Sequence, residues 1–209
     1  MTKNLIIPVA GKSSRYPGMR PKWLLTMPDG KLMIEKSVAL FDLKKFDRVI
    51  IIALTEHVKK FTSRQTLLKL FKKNISKKVE LIELNKETSC QAETVLNGIL
   101  KAKLKGGILI KDVDNIFSQK ITKKPVNQIS TINSKKIDLL DAKSKSYVDF
   151  DKMGKVINIV EKKVISDYFC CGAYEFKYSG EFIKYSRKCL KKSKNVFISD
   201  VIFSMILDN

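Results

Sequence analysis

The chain has 209 residues, 44% hydrophobic and 30% charged, a globular composition that excludes disorder and can build one core without a metal or disulfide staple. Its formal charge of +20 comes from 36 lysines and five arginines against 21 acidic residues, and lysine supplies solvated point charge where base and phosphate readers lean on the arginine fork. The lysines are scattered in pairs such as Lys59-Lys60 and Lys191-Lys192, with no aromatic stripe for stacking bases, which favours a solvated surface attracting anionic small molecules over a specific nucleic-acid footprint.

Residues 4–9 (NLIIPV) form a short apolar run opening into a Gly/Ser loop, the pattern of a buried parallel strand. Residues 33–41 have helical spacing, with Ile34, Val38 and Phe41 on one face. A second buried strand is expected over 48–53, an amphipathic helix through 66–71, an alternating strand over 79–84, a helix over 91–103 and an apolar strand over 107–111. Strand and helix thus alternate four times in the first 115 residues, which predicts an α/β fold with a doubly wound, mostly parallel, Rossmann-like sheet. After Phe117 strands dominate, at 127–133, 146–151, 156–161 and 168–176, followed by helices at 180–192 and 199–207. This second half is expected to complete the same sheet and add a small antiparallel layer. No linker or repeat divides the chain, so one domain over 1–209 is expected.

No apolar run approaches the roughly 18 residues of a membrane span, and the stretch 5–10 is too short for a signal-peptide core. Cys90, Cys170, Cys171 and Cys189 show no CxxC spacing and are accompanied by a single histidine, His57. They read as reduced thiols of a cytoplasmic protein rather than as a zinc site.

The loop after the first strand reads Ala10-Gly11-Lys12-Ser13-Ser14-Arg15-Tyr16-Pro17 and leads to Arg20-Pro21-Lys22-Trp23-Leu24-Leu25. Such a loop offers backbone N–H groups to a phosphate, with Arg15 and Lys22 adding charge, but it matches neither the Walker pattern nor GxGxxG. Asp112 and Asp114 stand where the fourth strand ends, the edge at which open α/β sheets bind ligands. Mg²⁺ asks for one or two carboxylates completed by substrate phosphates. Residues i and i+2 point the same way along a regular strand, so whether both aspartates reach one ion depends on where the strand ends. Asp114 is favoured as ligand, with Asp112 behind it or serving a second ion. The bland alternative is a polar turn closing the strand. Asp200 likewise reads as either a ligand or a first-turn helix acid, and Ser199 as that helix's cap. His57 reads as a surface loop residue.

Ala-Gly, a short loop, Ser-Arg-aromatic and Pro-Lys-x-Leu-Leu, taken together, resemble the signature of the sugar-phosphate nucleotidylyltransferases. Further segments fit in the same order: Cys90-Gln91-Ala92, Asp114-Asn115-Ile116-Phe117, Glu161-Lys162, Gly172-Ala173-Tyr174-Glu175-Phe176 and Ser199-Asp200. They span residues 5–203. The chain departs from the family where Lys12 or Ser13 replaces a glycine, Val113 a glycine and Lys163 a proline. The resemblance implies a GT-A-like fold and a nucleotide site made of Ala10, Gly11, Lys12, Ser13, Ser14, Arg15, Ser89, Cys90, Gln91 and Asp112. It implies Asp114 and Asp200 as Mg²⁺ ligands and Arg15, Lys22 and Lys162 as catalytic cations. Glu161, Lys162 and Gly172 would meet the acceptor.

Phosphate attack on an α-phosphorus needs no general base, which suits a site of Arg, Lys and Asp without histidine. Glu161 and Asp200 are only 39 residues apart, shorter than in sugar-specific members, which implies a small acceptor. The wording of residues 20–26 and 111–115 also looks like a branch found with capsule-polysaccharide genes. That branch implies CTP as nucleotide and a small phosphorylated metabolite, such as phosphoglutamine, as acceptor. The alternatives are a sugar-1-phosphate nucleotidylyltransferase and, from another class, a lysine-rich nucleic-acid-binding domain.

Overall fold

The computed structural model describes residues 2–11, 18–137 and 141–208. Four strands run parallel: β1 (Lys3–Pro8), β2 (Arg48–Leu54), β3 (Val79–Leu84) and β4 (Gly107–Lys111), with β1 between β2 and β4 and β3 outside β2. The antiparallel part is β5 (Gln128–Asn133), β6 (Ser146–Phe150), β7 (Val156–Glu161) and β8 (Tyr168–Phe176), giving the order β3-β2-β1-β4-β8-β6-β7 with β5 also on β8. This is the α/β sheet with an antiparallel addition that the pattern predicts.

Strand alternation divides the core between the two faces. Leu5, Ile7, Val49, Ile51 and Leu109 pack with α1 (Met33–Val38), α2 (Thr55–Phe61) and α3 (Arg64–Asn74). Ile6, Ile50, Ile52, Ile108 and Ile110 pack with α4 (Gln91–Lys101), α5 (Ser179–Leu190) and α6 (Ile198–Ile206). Helices on both faces explain why the parallel strands are apolar throughout rather than alternating. His57 lies within α2 and is partly buried, not in a surface loop.

Two features place the site. β8 is nine residues long, pairing with β4 through 173–176 and, beyond the end of β4, with β6 through Phe169 opposite Tyr147. The β6–β7 hairpin therefore extends the sheet past the carboxyl end of β4. At the opposite end of the sheet, Lys3 Nζ meets Glu175 Oε1 at 2.6 Å, both side chains 1% exposed. Thr122 O, Val126 N and Gln128 Nε2 complete the partners of this buried pair.

Candidate active site

The chain leaves β4 at Lys111 and turns sharply. Asp112 N–H donates to Gly172 O at 2.8 Å, so the turn starts on β8. The Asp112 side chain lies on the α4 face, where Gln91 Nε2 donates to its Oδ1 at 2.5 Å. Burial pushes this carboxyl up to about 6, against the Gln91 hydrogen bond, and the negative charges of Asp114 and Glu161 add to the rise.

Asp114 is half exposed at the open edge. Its Oδ2 accepts from Lys22 Nζ at 2.9 Å, bringing together residues 92 apart in sequence. Burial works to raise the Asp114 pKa, but the Lys22 hydrogen bond and charge outweigh it and hold the carboxyl below its ordinary value. Lys22 is placed by the short helical turn Lys22–Leu24, whose Trp23 and Leu24 are buried in the core while the lysine stem reaches outward.

Gly172 has a φ of +89° in the middle of β8, where the register with β5 shifts between Ile129 and Thr131. A Cβ there would lie 2.7 Å from both Asp112 Oδ2 and Asn115 Nδ2. The residue is glycine because the turn lies directly against it.

Glu161 ends β7 on the same face as Asp112. Its Oε2 accepts from Ser199 Oγ at 2.9 Å and from Ser146 Oγ. Ser199 thus ties the start of α6 to β7 instead of capping the helix. Asp200 Oδ2 accepts the Phe197 N–H at 2.8 Å, a first-turn helix contact, and through Ser199 it is attached to the Glu161 group. Lys162 follows with a φ of +59°, uncommon for a side-chain-bearing residue. Its Nζ lies 4.9 Å from the centre of the Phe197 ring.

At the start of α4, Ser89 donates both N–H and Oγ to Glu93 Oε2, at 2.6 and 2.7 Å, and Cys90 occupies the cap position. Ala10 is buried at the end of β1 and Gly11 is exposed beside it. Lys12, Ser13, Ser14 and Arg15 lie outside the described residues.

Lys111 was not singled out by the sequence reading. It is 0% exposed, and its Nζ donates to Asp112 O at 2.5 Å and Asn115 O at 2.7 Å. The ammonium lies 4.7 Å from the centre of the Phe117 ring and 6.0 Å from that of Phe41. Burial lowers its pKa to about 8, against the attraction of Asp112. A lysine closing an otherwise apolar strand, directly before two aspartates, is the sequence signal for it.

The donor set suits Mg²⁺. Asp114 offers a half-exposed carboxylate, whereas Asp200, at the start of α6, has its Oδ2 on the Phe197 N–H. Among the described residues no group of three or more His, Cys, Asp or Glu side chains forms a metal cage. An ion here would depend on substrate oxygens, which is how Mg²⁺ is commonly held. Also among the described residues, no helix is long and apolar enough to cross a membrane.

No family model and no curated protein matches the chain. Solved structures do. The nucleoside-diphosphate-sugar pyrophosphorylase from Vibrio cholerae RC9 superposes with a TM-score of 0.80 at 21% identity, over 98% of this chain and 88% of that one. The inositol-1-phosphate CTP transferase from T. maritima gives 0.73 at 13%, over 100% and 82%. A UDP-glucose pyrophosphorylase complexed with UDP-glucose gives 0.75 at 14%, over 100% and 88%. At these identities the likeness establishes a shared fold.

Proposed function

We propose that the chain is a cytoplasmic, Mg²⁺-dependent nucleotidyltransferase. It moves CMP from CTP to a small phosphorylated metabolite, phosphoglutamine, in the synthesis of a capsular polysaccharide modification. The observation that carries the transferase reading is the meeting of Lys22 and Asp114 at the open end of β4, beside the Gln91–Asp112–Gly172 group. A cation and a carboxylate from distant segments converge where α/β sheets bind ligands. Support also comes from the motifs in order along the chain and from a fold shared with proteins described as pyrophosphorylases and a CTP transferase.

The acceptor's phosphate oxygen, already an anion, attacks the α-phosphorus of CTP. A new P–O bond forms, the α–β bridge breaks, and pyrophosphate departs with the electron pair. No proton has to be removed, so the residues act by position and charge. Lys22 exchanges Asp114 for phosphate oxygens, and Lys162 faces the acceptor phosphate beside Glu161. Asp114 and Asp200 would hold Mg²⁺ together with phosphate oxygens, and the ion would neutralise charge on the triphosphate and the leaving group. A preference for CTP over UTP is supported by Gln91. Its amide nitrogen is tied to Asp112, leaving Oε1 to accept from the amino group of cytosine, where uracil and thymine carry a carbonyl.

A second reading, a sugar-1-phosphate nucleotidylyltransferase, is favoured by the two structural neighbours described as pyrophosphorylases of nucleotide sugars. Pyrophosphate release from each of the four NTPs, against a panel including phosphoglutamine and sugar 1-phosphates, tests both. Release with CTP and phosphoglutamine is expected. Release only with a sugar 1-phosphate selects the second reading, and release with no pair overturns both.

A further inference from the structure

Burying a lysine is expensive unless its charge is used, because the ammonium leaves water and must find oxygen or aromatic partners inside the protein. Lys111 stands at a position where a methionine would fill the space between Phe41 and Phe117 at lower cost. Its ammonium instead reaches around the end of β4 and binds two carbonyl oxygens of the following turn, those of Asp112 and Asn115. That turn has few other anchors. Asp112 N–H goes to Gly172 O, and the Asp112 side chain accepts from Gln91. Between the two clamped carbonyls lie Val113 and Asp114, and the Asp114 side chain points outward to Lys22.

We infer that Lys111 is a positioning residue whose buried ammonium clamps turn 112–115 and through it aims the Asp114 carboxylate at the nucleotide. The aiming half of this inference rests on the nucleotidyltransferase reading; the clamp itself rests on the geometry alone. Lys111 touches no substrate in this scheme. It acts by denying the turn alternative conformations, as partners behind a metal ligand commonly do.

Lys111→Met keeps the stem and removes the donors, and Lys111→Gln keeps one donor on a shorter chain. Three measurements test the two halves of the inference. In hydrogen exchange, the amides of residues 113–115 in Lys111→Met should exchange about 10-fold faster or more, while those of β1 and β2 stay protected. By electron paramagnetic resonance, Mn²⁺ standing in for Mg²⁺ in the presence of CTP should bind roughly 10–100-fold more weakly. In turnover, kcat should fall by a similar factor with the KM for CTP changed by less than about 3-fold, and Lys111→Gln should lie between Met and the unaltered chain. Unchanged exchange and unchanged Mn²⁺ affinity in a folded Lys111→Met would overturn the inference. So would failure of both variants to fold, because the charge would then be needed by the core and not by the turn. If the unaltered chain binds no Mn²⁺ with CTP, the aiming role and the proposed function are overturned together, and the exchange result alone decides the clamp.

Discussion

Replacing Gly172 with alanine perturbs the site without touching any charge. The residue has a φ of +89°, and holding alanine there costs about 1–2 kcal/mol of backbone strain. The new Cβ would also lie 2.7 Å from Asp112 Oδ2 and from Asn115 Nδ2, and 3.0 Å from Asp112 Cβ, well inside the roughly 3.5–4.0 Å of an unstrained contact. Asp112 cannot yield freely, because Gln91 holds its carboxylate and Gly172 O its N–H. Displacing it weakens one or two hydrogen bonds at about 1 kcal/mol each. The total is about 2–4 kcal/mol, and at about 2–4 °C per kcal/mol for a chain of this size the melting temperature should fall by roughly 4–16 °C.

Gly154 provides the control. Its φ is +79°, yet a Cβ there meets nothing within 4 Å. Gly154→Ala should therefore lose only the backbone share, about 1–2 kcal/mol, and leave the chemistry intact. Thermal melting of both variants isolates the steric share, and pyrophosphate release below both transitions reads its effect on the site. Displacing the turn that carries Asp114 should lower kcat by up to about 10²-fold. A Gly172→Ala protein that melts within about 2 °C of Gly154→Ala and turns over normally would refute the reasoning.

Asp114→Asn and Lys22→Ala should each lower kcat by about 10²-fold or more with smaller effects on nucleotide affinity. His57→Ala should leave kcat unchanged; the reverse pattern in the same assay would point to general-base chemistry. CTP with Mg²⁺ at 100 times its dissociation constant should stabilise the chain by about 2.7 kcal/mol in a melting experiment, more than UTP at the same concentration. Duplex DNA should bind weakly, with affinity falling steeply with salt and without sequence preference in a titration, since the lysines are scattered. Lys3→Met should destabilise the chain by about 3–5 kcal/mol in urea unfolding, because Glu175 would be left buried without its counter-charge.

The parallel half of the fold was legible because its strands are short apolar runs between helices with a clear inner face. Helix α2 was not, because its seven residues, TEHVKKF, bury only Val58 and carry no periodic stripe. Among the site residues, Lys22 and Asp114 could be named from motifs, but their meeting depends on how a 3-10 turn and a strand end are placed, which no local pattern encodes. Ser199 shows the same limit. A serine at a helix start reads as a cap, and only the tertiary position of β7 turns its hydroxyl to Glu161.

The lysines make the point most sharply. Composition treats all 36 alike, as surface charge, yet Lys3 and Lys111 are 1% and 0% exposed. Both sit at the ends of central strands, one at each end of the sheet. Alternation places Lys111 on the Leu109 face, under Phe41 and Phe117, so its stem has apolar company and its head must turn back to the chain for partners. A charged residue ending a strand is ordinary at a sheet edge, where water solvates it. In the middle of a sheet covered on both faces, that solvation has to come from the protein. The strand order, with β4 flanked by β1 and β8, is therefore what turns Lys111 from a surface charge into a buried partner of the turn over residues 112–115.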